Sequence, residues 1–163
     1  MNNSPKPVTI KQMSWLLFLL SRIKIPVMGY LRPKLLVMND EMATVRIKLR
    51  RRSKNHLNSM YFGALAVGAD VAGGIHAFYF AKKYDKKVSF AFKSMHVSFI
   101  KRAETDVIFV CEEGAKIEEI ILESLNTQTR INHSVKVRAL NLQDEEVAIF
   151  TMEISVKVYQ KPF

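Results

Sequence analysis

The chain has 163 residues and a mass of 18.7 kDa, with 48% apolar and 25% charged side chains, which fits one globular domain and excludes disordered or collagen-like architectures. Its single cysteine, Cys111, excludes an intrachain disulfide framework and any Cys-rich zinc site, and it suits a reducing, cytoplasmic compartment. The net charge of +10 resides in residues 1–60, which hold 12 basic and 2 acidic side chains, so that third is either a solvated basic face or meets an anionic partner.

In chain order, residues 1–7 read as a loose start. Ile10–Lys24 carries Met13, Leu16, Leu17, Leu20 and Ile23 at helical spacing. Trp15, Phe18 and Leu19 widen that stripe almost all round, so this helix is expected to pack on both sides. Its run Trp15–Leu20 is too short to span a bilayer and has no signal-peptide cleavage site. Pro26 and Pro33 bracket an irregular link. Leu35–Met38 and Met42–Arg50 read as strands joined at Asn39–Glu41, the second alternating Ala43, Val45, Ile47 and Leu49 against polar neighbours. Asn58 or Ser59 offers an N-cap to a helix over Met60–Ala81. That run is long enough to cross a membrane, but Asp70 sits at its middle and four glycines interrupt it. A buried helix of a soluble protein is expected. Each glycine costs roughly 1 kcal/mol in a helix interior, so a closely approaching sheet is the expected reason for them.

Val88–Ile100 is a long strand whose apolar residues change phase. Val88, Phe90 and Phe92 fall on even positions; Met95, Val97 and Phe99 fall on odd ones. A β-bulge near Lys93–Ser94 is expected. Thr105–Cys111 is a strand, and Ile117, Ile120, Ile121 and Leu125 mark a short amphipathic helix. Arg130–Leu140 and Ala148–Val158 alternate cleanly about a turn at Asn141–Glu146. The result is an α+β chain with a one-faced antiparallel sheet and a helix so apolar that it must be wrapped. Residues 1–29 form a helical extension, and 30–163 one domain.

The stretch Asn55-His-Leu-Asn-Ser-Met-Tyr-Phe-Gly-Ala-Leu-Ala-Val-Gly-Ala-Asp70 resembles the hotdog-fold thioesterase superfamily. It is most similar to the phenylacetyl-CoA thioesterase-like branch and its uncharacterised relatives. Members carry an Asn, then His-Gly-Gly at the start of the central helix, then a carboxylate nine residues after the His. Asn55, Tyr61-Phe62-Gly63 and Asp70 fall on those positions. The resemblance implies a curved antiparallel sheet wrapped around a long central helix. It also implies acyl-CoA thioester hydrolysis in a homodimer or a dimer of dimers. Asp70 would be the general base or nucleophile. The backbone N–H of Phe62, with Gly63, would be the oxyanion donor, and Asn55 would orient the water or the carbonyl. Coenzyme A enters only as part of the substrate, with no separate cofactor and no metal. Tyr61 replaces the family His and Phe62 the first Gly, which narrows the pocket mouth.

Phe62 and Asp70 lie eight residues apart on one helix, about 12 Å along its axis. A single thioester reaches both only if they come from different chains. Arg50, Arg51 and Arg52, within the basic run Arg46–Lys54, and Lys101 with Arg102 are the candidate partners of coenzyme A phosphates. Tyr61 joins them as a substrate-binding candidate. His133 is expected to be a core histidine and Cys111 a packing residue. His76 lies on a different face of the helix from Asp70. The histidines show no zinc-ligand spacing, and no phosphate loop or nucleophile elbow is present. Two further readings stand beside the hydrolase. One is a non-catalytic acyl-CoA- or lipid-binding hotdog dimer, suggested by Tyr61-Phe62. The other is a peripheral membrane or nucleic-acid binder driven by the basic first third, although no aromatic interleaving or nucleic-acid motif supports the latter partner.

Overall fold

The computed structural model describes residues 5–160. Residues 1–4 of the expected loose start lie outside that range. Lys6 is fixed: its N–H donates to the Lys83 carbonyl at 2.8 Å and its Nζ pairs with Asp85 at 2.9 Å.

The elements are α1 (Ile10–Leu19), α2 (Pro26–Leu31), β1 (Lys34–Met38), β2 (Ala43–Ile47), α3 (Phe62–Lys83), β3 (Lys87–Phe99), β4 (Val107–Cys111), α4 (Gly114–Thr127), β5 (Ile131–Leu140) and β6 (Glu146–Tyr159). The six strands form one antiparallel sheet in the order β1-β2-β4-β5-β6-β3. It packs around α3, the long central helix of a hotdog fold. The alternation read in the sequence is the inward face: Val45, Ile47, Phe109, Val135, Val137, Phe150, Met152 and Ile154 are all buried. The long strand also carries its bulge where the phase changes. Phe92 pairs with Ile154 and Ser94 with Glu153, which leaves Lys93 as the extra residue.

The glycines of α3 are explained by close approach. A Cβ at Gly68 would collide with the Phe109 ring, one at Gly73 would lie 2.6 Å from Met152 Cε, and one at Gly74 would lie 3.0 Å from the Phe90 ring. α3 is apolar and long enough to cross a membrane, yet 78% of its apolar window is buried inside the fold. It is the core helix.

Three local expectations are corrected. The first helix is regular only to Leu19, starting from a Thr9–Gln12 capping box, and widens into a π turn over Leu20–Lys24. It is not packed all round: Trp15 and Phe18 are 61% and 50% exposed. The link after it contains α2, with Pro26 in the first turn, where a missing N–H costs nothing. Finally, α3 is capped by neither Asn58 nor Ser59. It begins two residues later, with Tyr61 at the N-cap position and no side-chain cap.

Candidate functional site

Asp70 is the one acidic side chain of α3. It faces a cavity of ≈ 170 Å³ between α3, β3 and the N-terminal helices, with Leu16, Leu17, Leu20, Met28, Phe78 and Phe90 among its walls. Phe90 reaches this wall because Gly74 leaves room for its ring. The carboxyl makes no hydrogen bond or ion pair with any described residue. Burial alone pushes its pKa up to about 6. An unpaired carboxylate in an apolar wall is costly, so it is not there for stability.

The entrance of α3 is a second place. The N–H groups of Ala64 and Leu65 both reach the Tyr61 carbonyl, at 2.9 and 3.1 Å. Those of Phe62 and Gly63 have no acceptor among the described residues, as expected of the first turn of a helix. They carry the positive end of the helix dipole. The Tyr61 ring folds over Gly63, and Tyr61 and Phe62 are tilted against each other with centroids 4.6 Å apart. Both rings are half exposed beside an open groove of ≈ 460 Å³, which Asn55, Phe99, Lys101 and Arg102 also line.

The structure therefore brings Asn55, Tyr61, Phe62, Lys101 and Arg102 together, with Gly63 next to them, and leaves Asp70 of the same chain elsewhere. Arg50 and Arg52 line a different groove, with Arg32, Lys34 and Lys48. Arg51 is exposed and lines neither. Lys101 pairs with Glu145 at 2.8 Å.

Asn55 is largely committed to its own loop. Its Oδ1 accepts from the N–H groups of Leu57 at 2.9 Å and Ser59 at 3.2 Å, and its Nδ2 donates to Ser59 Oγ at 3.0 Å. An amide has two such hydrogens, so at most one remains for a ligand. This side chain shapes the loop that precedes the free amides. From the sequence, the Leu16–Leu20 helix reads as a lining or cover of an acyl tunnel, or as an extension of the dimer contact. Leu16, Leu17 and Leu20 do line the Asp70 cavity, joined by Met28 of α2, which was not legible.

Two further titratable groups, His76 and Cys111, are held in the core. His76 is fully buried, its Nε2–H donates to the Asn39 carbonyl at 3.1 Å, and burial pushes its pKa down to about 4. Burial pushes the Cys111 thiol up to about 11. His133 is half-buried rather than a core residue. Among the described residues no group of three or more His, Cys, Asp or Glu side chains stands together as metal ligands.

A six-stranded antiparallel sheet wrapped on a long glycine-bearing helix makes the chain a hotdog-fold protein. The chain belongs to DUF4442, a family of domains of unknown function, whose pattern matches residues 13–158. Its fold is shared by the thioesterase HI1161 of Haemophilus influenzae at 8% identity, with 94% of each chain covered and a TM-score of 0.67. It is also shared by PA5026 of Pseudomonas aeruginosa, a protein of unknown function described as a probable thioesterase. That match has 19% identity, covers 97% of this chain and 100% of the other, and has a TM-score of 0.74. The protein OLEI01261 of Chlorobaculum tepidum, of unknown function, matches at 11% identity over 98% of this chain and 100% of the other, with a TM-score of 0.80. No curated protein matches the sequence.

Proposed function

We propose that the protein hydrolyses acyl-CoA thioesters as a homodimer, with each site built from two chains. The observation that carries this reading is Asp70: an unpartnered carboxyl in an apolar wall, with a pKa near 6, ionised at neutral pH yet poorly solvated. The thioester carbonyl oxygen would sit on the Phe62 and Gly63 amides of one chain. Asp70 of the other chain would take a proton from water as the oxygen attacks the carbonyl carbon, or attack directly. On the first route the tetrahedral intermediate collapses, the C–S bond breaks, and the coenzyme A thiolate takes the proton held by Asp70 and leaves as a thiol. On the second, the C–S bond breaks to leave an acyl-Asp70 anhydride, which water then hydrolyses to the acid, releasing the proton that the thiolate takes. The acyl chain would occupy the cavity under Leu16, Leu17 and Leu20. Lys101 and Arg102 are suited to the coenzyme A phosphates.

Dimerisation is supported by β3, a 13-residue edge strand bonded on one side only, to β6. An open edge of that length is a ready template for a second copy. The likeness to proteins named as thioesterases adds support from the fold. A second reading, a non-catalytic acyl-CoA or lipid binder, is favoured by the Tyr61 and Phe62 rings at the mouth of the groove.

The test is thiol release from a panel of short, long and aromatic acyl-CoAs, with wild type beside Asp70→Asn. Turnover that Asp70→Asn loses supports the hydrolase. No wild-type turnover with acyl-CoA still bound selects the binder.

A further inference from the structure

Residues 10–30 hold seven of the fifteen large apolar side chains exposed among the described residues. Ile23 is 68% exposed, Trp15 61%, Tyr30 59%, Val27 54% and Phe18 50%. Single exposed apolar residues are ordinary, but this density on two consecutive helices and the turn between them marks an interaction face. The rings are joined to cations. Trp15 stacks on Phe18 with centroids 5.4 Å apart, and the Arg22 guanidinium lies 6.0 Å over Phe18. The Arg52 guanidinium lies 5.4 Å over Tyr30 and donates to its carbonyl at 2.9 Å.

Beside this face run three adjoining cavities that share Arg32. Arg22, Lys34, Lys48, Arg50 and Arg52 also line them, and no acidic side chain does. None of these cations is in an ion pair among the described residues; the eight salt-bridge contacts found there all lie elsewhere. Two polar atoms at the same place lack partners among the described residues. Ser21, only 7% exposed and with its Oγ unpaired, lines two of the cavities, and Arg46, with its Nε unpaired, lines the third. Gly29 lets α2 approach the Ser21 carbonyl so closely that a Cβ there would collide with it. So many uncompensated cations repel one another until an anion enters.

We propose that this face docks on an anionic phospholipid bilayer. Lipid phosphates would enter the cation groove, and Trp15, Phe18, Ile23 and Val27 would sit at the boundary of headgroups and acyl chains, with Tyr30 at headgroup level. The aliphatic members decide against nucleic acid: Ile23 and Val27 gain nothing from bases but gain from hydrocarbon. The same segment, through Leu16, Leu17, Leu20 and Met28, also covers the Asp70 cavity, and Leu17 lines both that cavity and the cation groove. Docking therefore seats the cover of that cavity on the membrane. The proposal stands whether or not Asp70 is catalytic.

Trp15 is the only tryptophan of the chain, so its fluorescence reports on this face alone. The full-length protein is mixed with vesicles of phosphatidylcholine, with and without about a third phosphatidylserine. A blue shift of Trp15 emission and co-flotation with the serine-containing vesicles are expected, reversed by about 1 M salt. Ile23→Ser with Val27→Ser should abolish the shift. Arg22→Gln and Lys34→Gln should each weaken partitioning about fivefold. All four positions are exposed, and an unchanged melting temperature confirms folding. Four results would overturn the proposal: no flotation, equal binding to neutral vesicles, emission already blue without lipid because a second copy covers the face, or salt-sensitive oligonucleotide binding with no response to vesicles.

Discussion

Phe62 and Asp70 stand on the same helix, eight residues and about 12 Å apart along its axis, and line two different cavities. The amide donors lie at the solvent-exposed entrance of α3. The carboxyl lies in its middle, under the N-terminal helices. On the proposed mechanism neither half hydrolyses a thioester alone, and a second copy pairing with the open edge of β3 would join them.

The pH dependence of activity should follow Asp70. A base must be ionised, so kcat/KM should rise through about pH 6 and level off above it. A profile flat from pH 5 to 8 would place the reactive group elsewhere.

Stability should respond in the opposite sense. The folded-state pKa of Asp70 is raised from 3.8 to about 6, so its stabilising contribution is present below pH 4 and lost as pH rises through 6. Above that range the buried charge costs up to about 3 kcal/mol. Asp70→Asn should therefore raise Tm at pH 8 and leave it nearly unchanged at pH 4. A lower Tm at pH 8 would mean that the carboxylate has a stabilising partner.

His76 works against Asp70. Its pKa is lowered from 6.5 to about 4, so stability is present above pH 6.5 and lost as pH falls through 4. The two titrations oppose one another between pH 4 and 6.5, and wild-type stability should be nearly flat there. Of these two, only the His76 titration remains in Asp70→Asn, and the lowered Asp40 and Glu145 carboxyls act in the same direction. Urea unfolding of that variant should show stability climbing with pH across the window, and a flat profile would contradict it.

The contact of Gly68 with Phe109 predicts a packing defect. In Gly68→Ala the Cβ meets the ring, and the strain outweighs about 1 kcal/mol of helix propensity. A net loss of about 1–2 kcal/mol is expected in urea unfolding, with partial recovery when Phe109→Leu is added. A gain in stability would show that the ring has room to move.

Much of this was legible because it follows from periodicity. The alternation in β5 and β6 fixes the inner face, and the phase change between Phe92 and Met95 marks the bulge at Lys93. The glycines of α3 signalled a sheet pressed against the helix. Four features were not legible. α2 is one short helix containing Gly29, below the length at which a period emerges. The start of α3 moved because Ser59 is occupied with Asn55 and leaves no side-chain cap. Arg50–Arg52 precede Asn55 closely in sequence, yet Arg50 and Arg52 line another groove, because Ser53 Oγ accepts the Arg50 N–H at 2.9 Å and donates to the Lys48 carbonyl, closing a turn there. That Asp70 has no partner depends on which side chains the N-terminal helices bring to it, and spacing does not encode this.

The composite site is tested most directly by mixing two inactive variants. Phe62→Pro removes one oxyanion donor at a position where the first turn of a helix tolerates proline, and Asp70→Asn removes the base. Each alone should release little thiol from acyl-CoA. After subunit exchange about half the dimers are mixed, and each mixed dimer regains one intact site, so about a quarter of wild-type turnover should return. No recovery, with mixed dimers demonstrated by native mass spectrometry, would contradict a site shared between two chains.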